Sequence, residues 1–144
     1  MTPRPNPKPP VGAAIAGTGL ALPDRVLTNA DLEAIVETSD DWITKRTGIK
    51  TRRVAEPGTR TSDLAADAVG MALANAGLDP RELDLLLLAT MTEDVVCPAT
   101  ACEVVKKINA IPCGAMDINI ACTGFVAGLN VASGLMATGQ YQHV

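Results

Sequence analysis

Apolar and polar positions follow two periods along this chain, and the switches between them mark its elements. From Val11 the run VGAAIAGTGLALP is small, apolar and uncharged, and it stops at Pro23-Asp24; the pattern predicts a strand. Two short helices come next. Thr28 is placed to cap the first, with Asp31 in its first turn. Ser39 is placed to cap the second, Asp40 and Asp41 sit in its first turn, and Gly48 offers a left-handed stop. Residues 50–60 read as basic and irregular. Thr61 or Ser62 then opens a longer helix, in which Leu64, Ala65, Ala68, Val69, Ala72, Leu73 and Ala76 form one apolar face before Gly77 ends it. Asp79-Pro80-Arg81-Glu82 has the composition of a capping box around a single turn. The unbroken apolar run 85–90 predicts a parallel strand covered on both faces. Pro98 opens a helix with Ala101, Cys102, Val105 and Ile108 inward and Glu103, Lys106 and Lys107 outward. A strand over 115–121 and a helix over 123–138, rich in small residues, complete the pattern.

Strands alternating with helices predict an α/β domain with a largely parallel sheet. The order ends on a helix, where a further strand is due, so residues 11–144 read as an incomplete domain. Residues 1–10 hold five prolines and read as a disordered tail.

Composition narrows the function. The chain is 47% hydrophobic but only 2% aromatic, and its net charge is −4. Too few rings for base stacking and too little positive charge argue against a nucleic-acid partner. The charge is uneven: residues 45–60 carry six Lys and Arg against one Glu, a local patch suited to phosphate or an acidic partner. Residues 118–142 carry no charge, yet Asn119, Asn130, Gln140 and several Gly interrupt them, so they read as buried strand and helix rather than a membrane span. No secretory signal is visible in the Pro-rich start, which predicts a cytoplasmic protein. The spacings of Cys97, Cys102, Cys113 and Cys122 match no zinc pattern, and no metal is expected.

Cys122 is the strongest candidate for chemistry. In DINIACTGF it sits where an apolar strand turns into a helix. Such a turn presents a nucleophile, and the helix amides beyond it favour a thiolate and can stabilise an oxyanion. The alternative is an inert core cysteine.

Three segments, GTGLALPDRVLTN, TNADLEAIVETSDDWITKRTGIKTRR and DINIACTGFVAGL, resemble in order those of the β-ketoacyl-[acyl carrier protein] synthase III family. The resemblance covers residues 11–144 and implies the N-terminal half of a thiolase-like αβαβα fold with a mostly parallel mixed sheet. It implies an acyltransferase of fatty acid biosynthesis. Cys122 would take an acyl group from acyl-CoA and pass it to malonyl-[acyl carrier protein] with loss of CO2, with no cofactor beyond the acyl-CoA substrate. The full-length family enzyme is a homodimer.

The same resemblance assigns Thr38, Trp42 and Arg46 to the nucleotide end of CoA; an indole face and a guanidinium one turn apart suit a base and a phosphate. Lys45, Lys50, Arg52 and Arg53 could add a field for CoA or the carrier protein, or form only a solvated loop. Cys97 falls where relatives place a bulky aromatic that lines the partner subunit's acyl pocket, and there it would widen that pocket. Cys102 and Cys113 read as structural. The family's catalytic His and Asn belong to sequence outside these residues: His143 in GQYQHV reads as an exposed terminal histidine, and Asn119 and Asn130 as packing or helix-face groups. Two other readings stay open, a polyketide-type or long-chain condensing enzyme and a noncatalytic half-chain that partners another subunit.

Overall fold

The computed structural model describes residues 12–144, so the Pro-rich tail read over 1–10 lies outside the described residues. These residues divide into two compact units, one of Ala21–Arg60 and one that joins Thr61–Val144 to the stretch ending at Leu20.

The Ala21–Arg60 unit is held by local hydrogen bonds more than by apolar packing. A short strand β1 (Val26–Thr28) pairs antiparallel with β2 (Thr51–Arg53), Val26 opposite Arg53 and Thr28 opposite Thr51. Between them lie helices α1 (Asn29–Glu33) and α2 (Asp40–Thr47). Thr28 caps α1 in a capping box: its hydroxyl accepts from the Asp31 amide, and the Asp31 carboxylate accepts from the Thr28 amide at 2.7 Å. Ser39 Oγ accepts from the Trp42 amide at 3.1 Å, and Gly48 closes α2 at φ 71°. That left-handed turn is where a side chain would be strained. The stretch expected to be irregular therefore contains β2. A three-residue strand with basic side chains carries no apolar alternation, and only pairing with β1 defines it.

The larger unit is layered. Strand β3 (Leu85–Ala89) pairs parallel with β4 (Gly114–Ile118), Leu86 opposite Ala115 and Ala89 opposite Ile118. Because side chains alternate across a sheet, Leu86, Leu88 and Ala115 face one side, and Leu87, Ala89 and Ile118 the other. The first side meets α3 (Thr61–Ala76) and α4 (Thr100–Lys107), in a core built on Leu73, Leu83, Leu86, Ala101, Val104, Val105 and Ala110. Fully burying the Leu and Val side chains among them stabilises by about 1.5–3 kcal/mol each. The second side meets α5 (Gly124–Met136), where Gly124 lies against Ala89 and Gly128 against Ile118. Asp79 caps the 3-10 turn Pro80–Glu82, and Glu82 completes that capping box.

Three expectations are corrected here. Residues 12–22 form no strand. A strand exists only by pairing, and residues 17–20 instead lie along α3, with the Asn75 side-chain amide donating to the Thr18 carbonyl at 2.7 Å. Gly17 and Gly19 permit that approach: a Cβ on Gly19 would meet the Ala68 carbonyl oxygen at 1.9 Å, and one on Gly17 the Ala72 oxygen at 2.2 Å. Helix α4 begins at Thr100, not Pro98, and Cys102 is exposed while Val104 is fully buried. Residues 101, 104, 105 and 108 make the helical stripe, and 102 falls about 100° off it. His143 is half-buried, not exposed: its Nδ1 lies 2.9 Å from the Glu82 carbonyl oxygen.

Candidate active site

Strand β4 delivers the chain to Cys122. It ends at Ile118, Ala121 takes the left-handed conformation at φ 46°, and a 3-10 turn Ala121–Thr123 leads into α5. The Thr123 amide donates to Ile120, and the Gly124 amide to Ala121, which closes the turn. Cys122 stands exposed on it. Beside it runs an open groove of about 500 Å³ whose lining is mostly apolar, with Leu87, Ala89, Ile118, Phe125, Leu129 and Val144 among its residues. Phe125 is 71% exposed in that groove, a large apolar cost unless something covers it. An exposed thiol beside an apolar trough can react with an acyl group and hold the chain attached to it.

Asp117 steadies the approach to this turn. On β4, five positions before the thiol, its carboxylate accepts from the Thr100 and Ala101 amides at 2.7 and 2.8 Å and so caps α4. Thr100 Oγ1 in turn accepts from the Asp94 amide, and Asp94 Oδ1 from the Ser62 amide, which ties α3 to the same network. Sequence reading passed over Asp117, though a single acid inside an apolar strand is a signal that its charge has fixed partners.

The other cysteines differ in setting. Cys97 is exposed and is not part of the groove beside Cys122. Cys113 is half-buried, and burial with the nearby Asp84 charge pushes its thiol up from the usual range.

In the Ala21–Arg60 unit, Thr38 and Trp42 line a shallow recess of about 210 Å³ with Glu37 and Ser39. Trp42 is 53% exposed, and the Arg46 guanidinium sits 4.5 Å from the centre of its ring, a cation–π contact across one turn of α2. The surrounding cations are not equivalent. Arg52 donates to Asn29 Oδ1 at 2.7 Å and to the Leu27 carbonyl, and Arg53 donates to the Pro23 and Asp24 carbonyls. Lys45 pairs with Asp41 at 2.9 Å on the surface. Arg52 and Arg53 thus serve the fold as well, and because these acceptors are neutral, both keep their charge. The Asn29 amide hydrogen bond, then that of Thr44 and the charge of Lys50, hold the Asp40 carboxyl below its ordinary range against some desolvation.

Over 134 residues, 93% of its length, the chain is 48% identical to the β-ketoacyl-[acyl-carrier-protein] synthase III of Caldanaerobacter subterraneus subsp. tengcongensis. The chain belongs to the β-ketoacyl-[acyl-carrier-protein] synthase III family. It spans 40% of the length of that relative. Residues 116–144, which carry Cys122, match the family described as 3-oxoacyl-[acyl-carrier-protein (ACP)] synthase III. The crystal structure of the Aquifex aeolicus synthase III superposes with a TM-score of 0.87 at 47% identity, over 91% of this chain and 42% of that one. A priming β-ketosynthase from a polyketide biosynthetic pathway also superposes at 0.87, at 33% identity, over 90% of this chain and 39% of that one. The α/β fold with its parallel sheet is thus that of the thiolase-like condensing enzymes. No helix among the described residues is long and apolar enough to cross a membrane.

Proposed function

We propose that the chain is the nucleophile-bearing part of a 3-oxoacyl-[acyl carrier protein] synthase III that initiates fatty acid biosynthesis. The observation that carries this is Cys122, exposed on the strand-to-helix turn at an apolar groove, within the segment that matches the family. Cys122 Sγ, as thiolate, attacks the carbonyl carbon of an acyl-CoA. The bond from that carbon to the CoA sulfur breaks, and CoA leaves as the thiol after taking a proton. On this reading amides at the start of α5 supply positive potential for the oxyanion. The acyl chain lies along the groove, sheltered by Phe125 and Leu129.

In the second step malonyl-[acyl carrier protein] loses its carboxylate as CO2. The electron pair of the broken C–C bond attacks the acyl carbon, and Cys122 Sγ leaves. Donors to the enolate oxygen are needed there. The chain's single histidine is engaged at the Glu82 carbonyl, so on this reading the donors are the His and Asn that the family resemblance assigns outside these residues. Thr38, Trp42 and Arg46 receive the nucleotide end of CoA. Cys97 lines an acyl pocket across a homodimer, no cofactor beyond acyl-CoA takes part, and the enzyme is cytoplasmic. The likeness to a priming β-ketosynthase supports a second reading, a starter enzyme of polyketide type with the same first step.

Incubation of the chain with acetyl-CoA, followed by peptide mapping, tests the first step. Acetyl is expected on Cys122 and absent from Cys122→Ser. Acetyl on Cys97, Cys102 or Cys113 instead refutes the assignment.

A further inference from the structure

Helix α2 has eight residues and one buried side chain, Ile43. So short a helix is marginal alone, and one apolar anchor does not fix its rotation. What fixes it is Asn29, only 2% exposed at the start of α1. Its side-chain amide donates to Asp40 Oδ1 at 2.7 Å and to the Ile49 carbonyl at 2.9 Å. Asp40 is the first residue of α2, and Ile49 follows its capping glycine, so one side chain grips both ends of the helix. Arg52, reaching from β2, donates to Asn29 Oδ1 at 2.7 Å and orients the amide. Thr44 Oγ1 donates to Asp40 Oδ1 at 3.2 Å and locks the same carboxylate from within α2. Trp42 and Arg46 lie one turn apart on this helix, so any change in its rotation moves both together.

We infer that Asn29, with Arg52 and Asp40, is a positioning group that sets the rotation of α2 and so presents Trp42 and Arg46 to the nucleotide end of CoA. The inference rests on the proposed role of Trp42 and Arg46. Asn29 touches no ligand; it acts through Asp40 and the helix end.

Trp42 is the chain's one tryptophan, so its fluorescence reports on this face directly. Coenzyme A is titrated against the wild type and against Arg46→Ala, Asn29→Ala, Asp40→Ala and Asp40→Asn. Wild type is expected to show a saturable change in Trp42 emission, and Arg46→Ala is expected to weaken it. Asp40→Ala removes the acceptor of the clamp and is expected to raise the Kd about fivefold or more, the size of one lost charge-assisted hydrogen bond. Asp40→Asn keeps an acceptor oxygen and is expected to bind within about twofold of wild type. Both variants remove the same charge, and removing an acid beside a phosphate-binding face would on electrostatics alone tighten binding. Equal affinity of the two Asp40 variants, or tighter binding by both, overturns the positioning role.

Asp40 is exposed, so its variants decide the matter even if Asn29→Ala unfolds. Wild type that shows no response to coenzyme A, or Arg46→Ala that binds normally, overturns the role of the α2 face itself and the inference with it.

Discussion

Two glycines in the larger unit, one packed against α3 and one inside it, are expected to respond in opposite directions when each is replaced by alanine. Gly19 lies against α3. A Cβ there would come within 1.9 Å of the Ala68 carbonyl oxygen and 2.6 Å of the Ala72 nitrogen, both backbone atoms that cannot swing aside. Relief takes about 1 Å of movement in a packed contact, and overpacking of this kind costs about 1–3 kcal/mol. The same movement strains the bond from the Asn75 amide to the Thr18 carbonyl, worth about 1 kcal/mol more. Gly19→Ala is therefore expected to destabilise by about 2–4 kcal/mol.

Gly70 sits inside α3, exposed, with nothing within 4 Å of a Cβ built on it. Gly70→Ala is expected to stabilise by about 1 kcal/mol, since alanine loses less backbone entropy in a helix. For a chain of this size 1 kcal/mol shifts Tm by roughly 3 °C, so the two variants should differ by about 10 °C or more. Denaturant unfolding followed by far-UV circular dichroism measures both. A neutral Gly19→Ala would refute the docking of residues 17–20 along α3, and a destabilising Gly70→Ala would refute the open helical site.

Three further outcomes are expected. The Arg81 hydrogen bonds to Asp79 depress its carboxyl from 3.8 to about 2, so the stability it adds is present above pH 4 and is lost as the pH falls toward 2; NMR titration of Asp79 with a midpoint at its ordinary value would contradict this. At pH 8, exposed Cys97, Cys102 and Cys122 should react with a thiol reagent well before Cys113, whose burial raises its thiol; equal rates for all four would show that Cys113 opens freely. Asp117→Ala removes two capping bonds from the start of α4 and should cost about 1–2 kcal/mol in denaturant unfolding, and an unchanged midpoint would show that α4 is held by its apolar stripe alone.

What the sequence by itself determined are the features whose partners lie within four residues. The Thr28–Asp31 and Asp79–Glu82 capping boxes, the Ser39 cap, the left-handed Gly48 and Gly77, and the strand-to-turn-to-helix setting of Cys122 all close on neighbours along the chain. Each can be read from a short window because its geometry is local. The apolar face of α3 and the existence of two strands, read over 85–90 and 115–121 and found at 85–89 and 114–118, were also legible, because apolar pattern records what faces a core; their pairing came from the fold. Tertiary structure alone decided the features that depend on a distant partner. Residues 12–22 carry a strand's composition and yet form none, and 17–20 lie along α3 instead, because composition cannot supply the second strand. Arg52 and Arg53 look like unengaged charge in sequence, but carbonyls and an amide oxygen 23 to 30 residues away in the chain accept from them. Asn29 carried no apolar or charged signal, and it became a clamp only when Asp40, Ile49 and Arg52 converged on it. A hydrogen bond to a remote residue leaves no period in the chain, so only the folded arrangement reveals it.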